Sequence, residues 1–124
     1  MLRIHDGQMA SFSVEAARDF EDRMIEHLGV LFPAYLETLG EEGARTLVRR
    51  GVERAATYGM IVERSVCIFI DAMFAFGRDF DRDPALPWAA AILTDTGASS
   101  PDEKAHRLFK AAFANFDQAR GVFA

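Results

Sequence analysis

The chain of 124 residues has one cysteine, one tryptophan and four prolines, and among its 14 basic side chains only Lys104 and Lys110 are lysines. Each scarcity excludes something. A single cysteine rules out an intramolecular disulfide, and Cys67 lies in the apolar run Val66-Cys67-Ile68-Phe69-Ile70, where a free thiol behaves as a small hydrophobe. A reducing compartment fits that usage. The longest apolar run, Val66 to Phe76, is interrupted by Asp71 and is far shorter than the roughly 20 residues a membrane span needs, so no transmembrane segment is expected. The opening residues, Met1 to Asp6, lack the apolar core and small-residue cleavage site of a secretory signal, and a cytoplasmic location is the expectation. Positive charge is short as well: the formal net charge of -5 gives non-specific nucleic-acid binding no electrostatic support.

Apolar residues are plentiful. They make up 50% of the chain and include 11 phenylalanines, enough for a self-standing core in a domain that buries roughly two-thirds of its unfolded surface. No internal repeat, low-complexity tract or linker divides residues 1–124, so a single helical domain is expected.

Met9, Phe12, Ala16, Phe20, Met24, Leu28 and Leu31 recur every three or four positions, which predicts a long amphipathic helix from about Gln8 to Leu31. Pro33 stops it, because the residue before a proline avoids helical backbone angles. Pro33 to Leu39 predicts a short helix ending at Gly40, and Glu41 to Tyr58 a longer one ending at Gly59. On the latter, Gly51 falls on the apolar face beside Leu47, Val48 and Ala55. A glycine there costs about 1 kcal/mol relative to alanine, which points to close crossing by another helix. Val62 to Phe76 is apolar on most sides and predicts the most buried helix. Its length and the lack of a partner strand favour helix over sheet. Arg64, Cys67, Asp71 and Arg78 form a narrow polar strip on it, so that Asp71 is expected to face solvent or an arginine. A short helix follows from Pro87 through Leu93. After a polar turn over Thr94 to Ser99, Ser100-Pro101-Asp102-Glu103 has the form of a capping box. The helix it opens carries Ala105, Leu108, Phe109, Ala112, Phe113 and Phe116 on one face and is expected to reach about Ala119, before Gly121. The fold class is all-α: a bundle of four main helices with two short ones.

The connection Phe76-Gly77-Arg78-Asp79-Phe80-Asp81-Arg82-Asp83-Pro84-Ala85-Leu86-Pro87-Trp88 packs aromatics, alternating aspartates and two prolines between apolar segments. Asp79, Asp81 and Asp83 are spaced like the opening of a calcium loop. Pro84, however, stands where such a loop turns on glycine, and Ala90 where it ends on a bidentate glutamate. A structural loop built on Gly77, Asp79, Asp81, Asp83, Pro84 and Pro87 is the simpler reading, with Asp83 capping the next turn and the other aspartates accepting local backbone bonds. Of the aromatics, Phe74 and Phe76 are assigned to the core, and Phe80 and Trp88 are expected to be the exposed pair, open to a partner. Arg45, Arg49, Arg50 and Arg54 cluster on the polar side of one helix, either as a site for an acidic partner or as a solvated face with pairs such as Glu41 to Arg45. His5, His27 and His106 do not assemble into a ligand set, and Ser11, Ser13 and Ser65 have no neighbouring histidine and acid. No catalytic residue, metal or other cofactor is expected.

Three phrases carry a family resemblance: Glu53-Arg54-Ala55-Ala56-Thr57-Tyr58-Gly59, Glu63-Arg64-Ser65-Val66-Cys67, and the run from Phe76 to Trp88 with its Asp83-Pro84 and Leu86-Pro87-Trp88. Together they resemble a family of small helical bacterial proteins encoded beside effectors and spike proteins of the type VI secretion system. The likeness spans about Met1 to Phe113, with the specific phrases in the middle. It implies an accessory role, as an adaptor or co-chaperone binding an effector, its chaperone or a spike component, without catalytic residues. An immunity protein is the second expectation, since acidity suits a basic toxin, and an ion-binding module on the aspartates the third. Homodimerisation through an uncovered apolar helix face is also compatible with the composition.

Overall fold

Apolar spacing and breaker residues divide the chain into helices as the periodicity predicts. The computed structural model describes residues 14–95 and 100–118, and among these the protein is all-α. The order is α1 (Val14–Leu31), α2 (Pro33–Thr57), α3 (Glu63–Phe76), a 3-10 turn (Phe80–Arg82), α4 (Pro87–Leu93), α5 (Pro101–Ala114) and a second 3-10 turn (Phe116–Gln118). The expected start of the first helix over residues 8–13, His5, most of the turn over Thr94 to Ser99, and the stop at Gly121 lie outside the described residues.

The helix count differs from the expected four plus two. The short helix expected over Pro33 to Leu39 is present as the first arm of α2, which breaks from the second arm at Gly40, whose backbone angles (φ 75°, ψ 169°) are not helical. With the two kinked arms taken as one element, the described residues hold five α-helices. Pro33 opens α2 without cost because the first-turn N–H it lacks would have had no helical acceptor. At the other end, α5 stops at Ala114, short of the expected Ala119. Its start is as predicted: the Ser100 hydroxyl accepts the Glu103 backbone N–H at 3.1 Å.

α3 is the hub. It packs against α1, α2, α5 and the first 3-10 turn, and Val66, Phe69, Ile70, Met73 and Phe74 are buried along it. Phe20, Met24 and Leu28 of α1 and Leu47, Val48 and Ala55 of α2 complete one side of the core. Gly51 explains how α2 and α3 come so close. A Cβ at that position would lie 2.6 Å from Ile70 Cγ1 and 2.8 Å from Met73 Sδ, so a larger residue would force those side chains to move. Leu93, Ala105 and Leu108 close the opposite side through α4 and α5. No helix of the described residues is long and apolar enough to cross a membrane.

Candidate functional site

The phrases around Tyr58-Gly59 and Phe76 to Trp88 meet in space, and what joins them is a polar clamp. Gly77, at φ 118°, ends α3 and turns the chain into the 3-10 turn, which delivers Asp81 beneath α2. Arg54 Nη1 donates to both Asp81 carboxylate oxygens, at 2.9 and 2.7 Å, and its Nη2 to Asp79 Oδ1 at 3.2 Å. Tyr58 Oη donates to Asp81 Oδ2 at 2.6 Å. The Asp81 side chain has no solvent exposure, so this pairing is what makes its burial tolerable. Lys104 Nζ, also buried, donates to the Tyr58 carbonyl at 2.9 Å and ties α5 to the same corner. Hydrogen bonds from Arg54 hold the Asp79 carboxyl below its ordinary range, while burial, with the Asp81 carboxylate beside it, pushes the Tyr58 phenol up.

Several expectations change here. Phe80 is not exposed: it is 1% accessible and packs against Phe69 with ring centroids 5.0 Å apart. It turns inward because Asp81, its neighbour, is drawn under Arg54. Trp88 is half-buried and meets Phe76 edge-on at 5.1 Å, so both aromatics lock the connection onto the core. The calcium-like spacing has two of its carboxylates engaged by arginine, and Asp83 Oδ1 accepts the Ala85 backbone N–H at 2.9 Å, closing the turn before Pro87. Pro84 is exposed on that turn.

The arginines of α2 are mostly intramolecular partners. Arg45 bonds Asp22 at 2.6 Å, Glu41 at 3.2 Å and Glu21 at 3.3 Å, and Arg49 bonds Glu21 at 2.7 Å. These pairs hold α2 to α1. The Arg45 and Arg54 side chains keep only 12% and 11% of their exposure, which leaves Arg49 (51%) and Arg50 (45%) as the pair open to solvent, Arg50 with a long contact to Asp79 at 3.4 Å.

The exposed apolar surface lies elsewhere. The apolar face of α5 expected to hold Ala105, Leu108, Phe109, Ala112, Phe113 and Phe116 is split: Ala105 and Leu108 go inward together with Lys104, and the phenylalanines turn outward. Phe109, Phe113 and Phe116 are 55%, 77% and 50% exposed, with Phe109 and Phe113 stacked at 6.5 Å. Their spacing of four and three residues aligns them along one side of the α5 region. Across from them the end of α1 presents Leu31, with Val30 exposed beside it, and α3 forms the floor with Ile68, Ala72 and Ala75. The groove so formed has a volume of about 260 Å³ and, among the described residues, a single charged lining residue, Asp71.

Asp71 is partly open to solvent, its side chain 30% accessible, and its partner is a histidine and not an arginine. Both its oxygens lie at 2.9 and 3.0 Å from His27 Nε2, on α1. Cys67, one turn earlier on α3, joins them, and the three donor atoms all fall within 4.8 Å of one another. Thus one histidine does enter a set of possible metal ligands, which the separation of residues 27 and 67 along the chain concealed. Burial, reinforced by the negative charges of Asp71 and Glu63, pushes the Cys67 thiol up to about 12. Burial likewise raises the Asp71 carboxyl, against the opposing hydrogen bond of His27.

The sequence places Cys67 and Asp71 on one strip of α3 and the three phenylalanines on one face of α5; the approach of His27, 44 residues before Asp71, has no local signal. Compared with known proteins, the chain matches no family model, no curated protein and no solved structure.

Proposed function

We propose that this chain is a non-enzymatic adaptor or co-chaperone of the type VI secretion system, acting in the cytoplasm, whose groove between α1, α3 and α5 receives an amphipathic helix of an effector, its chaperone or a spike component. The observation that carries the reading is the row Phe109, Phe113 and Phe116, exposed on α5 across from Leu31. Aromatic side chains at helical spacing are the usual anchors when one helix lies in the groove of another. The link to secretion rests on the resemblance of the phrases from Glu53 to Trp88, which the Arg54–Asp81 clamp unites into one structural unit.

Charge selects the occupant. Each copy carries a net charge of -5, so two copies repel, and among the described residues the groove's one charged lining residue is a carboxylate. A helix with an apolar stripe and basic flanks complements both features. The test is co-purification of the chain with products of adjacent genes, using wild type and Phe109→Glu/Phe113→Glu. Loss of one central aromatic anchor costs at least about 2 kcal/mol, or about 30-fold in affinity, so the double variant should lose the complex while melting like wild type. A complex unaffected by the double variant refutes the reading. A wild-type dimer that the variant dissociates would put a second copy in the groove instead. Protection of cells from a co-expressed toxin, with no effect on export, would refute the adaptor role.

A further inference from the structure

We propose that His27, Cys67 and Asp71 form a binding site for a divalent transition-metal ion, zinc being the best match. Cys67 and Asp71 are one helical turn apart on α3, and His27 approaches from α1, so two packed helices supply sulfur, oxygen and nitrogen donors to one point. That mixture selects the metal class. Calcium and magnesium take oxygen donors, whereas zinc is bound by thiolate, imidazole and carboxylate in tetrahedral geometry.

The distances suit it. Zinc bonds of about 2.0–2.3 Å place tetrahedral donors roughly 3.5 Å apart. The three donor atoms lie within 4.8 Å of one another, with His27 Nε2 already 2.9 Å from Asp71, so the side chains need only rotate around an ion. The helices that carry them are pinned together one turn away. Arg23, four residues before His27, makes two parallel bonds of 2.9 Å to the Glu63 carboxylate, four residues before Cys67. This bidentate pair fixes the register of α1 against α3 and pre-arranges the donors.

Binding exchanges a proton for the ion: the Cys67 S–H bond breaks, the thiolate binds the metal and the proton goes to solvent. The carboxylates of Asp71 and Glu63, on the same helix as Cys67, supply negative charge that favours a dication at this point. Three protein donors leave a fourth position, filled by water. Since Asp71 also lines the groove, the ion would stand at the groove's edge.

The experiment is titration of the untagged, reduced chain with Co²⁺ as a spectroscopic probe, followed by displacement with Zn²⁺. One equivalent should produce the visible bands of a tetrahedral site together with a thiolate-to-cobalt charge-transfer band, both abolished by Zn²⁺. Cys67→Ser and His27→Gln should each weaken binding by at least about 10-fold, the loss produced by removing even an outer hydrogen-bond partner of a metal ligand. His106→Gln should leave binding unchanged. Absence of the thiolate band, or undiminished binding by Cys67→Ser, overturns the site. Should a variant fail to fold, alkylation of Cys67 in the wild-type chain decides: slowing by Zn²⁺ supports the proposal, and an unaltered rate overturns it.

Discussion

The buried ion pair of Arg54 and Asp81 offers the sharpest test of how the middle of the chain is held. Replacing Arg54 by methionine keeps much of the side chain's volume but removes the donor to both oxygens of a carboxylate with no solvent exposure. Tyr58, at 2.6 Å, remains as a close donor, with the exposed Arg82 guanidinium farther off at 3.9 Å. Breaking a buried pair from one side costs about 3–5 kcal/mol, because the stranded charge keeps its desolvation penalty without its partner. For a chain of 124 residues, between the size classes for which 1 kcal/mol shifts Tm by about 2–4 and about 4–8 °C, that is a fall of roughly 10–20 °C. Arg54→Met/Asp81→Asn, which neutralises the stranded charge while keeping an acceptor for Tyr58, should recover about half of the loss. Thermal and urea melts followed by circular dichroism on wild type, both single variants and the double variant give the coupling directly. A loss below about 1 kcal/mol for Arg54→Met, or strictly additive single variants, would refute the view that this pair anchors the connection.

Gly51→Ala sets helix propensity, a gain of about 1 kcal/mol, against overpacking at Ile70 and Met73, a cost of about 1–3 kcal/mol; the contact at 2.6 Å puts the cost at the upper end, with a net loss of up to about 2 kcal/mol in urea melts. Acid stability should depend on Glu63. Its hydrogen bonds from Arg23 depress its carboxyl below the ordinary 4.5, so it stabilises the fold above that pH and ceases to as pH falls through the lowered value; Glu63→Gln should flatten the acid limb of stability against pH. Asp71 acts in the opposite sense. Its carboxyl is raised above 3.8, chiefly by burial, so its contribution is complete below that pH and lost as pH rises through the raised value, and Asp71→Asn should remove that decline. Calorimetry with calcium should give no heat attributable to Asp79 and Asp81, since an ion there would have to displace Arg54.

The parts of the fold that depend on local periodicity were readable from the sequence. Phe20, Met24 and Leu28 on α1, the proline and glycine punctuation, and the Ser100 cap all act within a turn or two of themselves. Gly51 was readable too, because an apolar-face glycine in a helix has few explanations other than a close crossing. Phe80 was not. Its phrase alternates aromatic and charged residues as an exposed loop does, and its burial is decided by Arg54, 27 residues before Asp81. The same limit hid the meeting of His27 with Asp71, 44 residues apart, which depends on how α1 registers against α3. For α5 the apolar stripe was visible but its buried half was not. Lys104, whose ammonium is satisfied by the Tyr58 carbonyl, occupies an inward position that polarity alone would give to Phe109.

The central claim is that the groove beside Phe113 is the contact surface of this protein, and site-specific photocrosslinking tests it most directly. With Phe113→p-benzoylphenylalanine in cells expressing the neighbouring genes, the account predicts a light-dependent adduct to a secretion effector, its chaperone or a spike component. The same label at Glu53, exposed on α2, should give none. Adducts from position 53 with none from position 113 would contradict it.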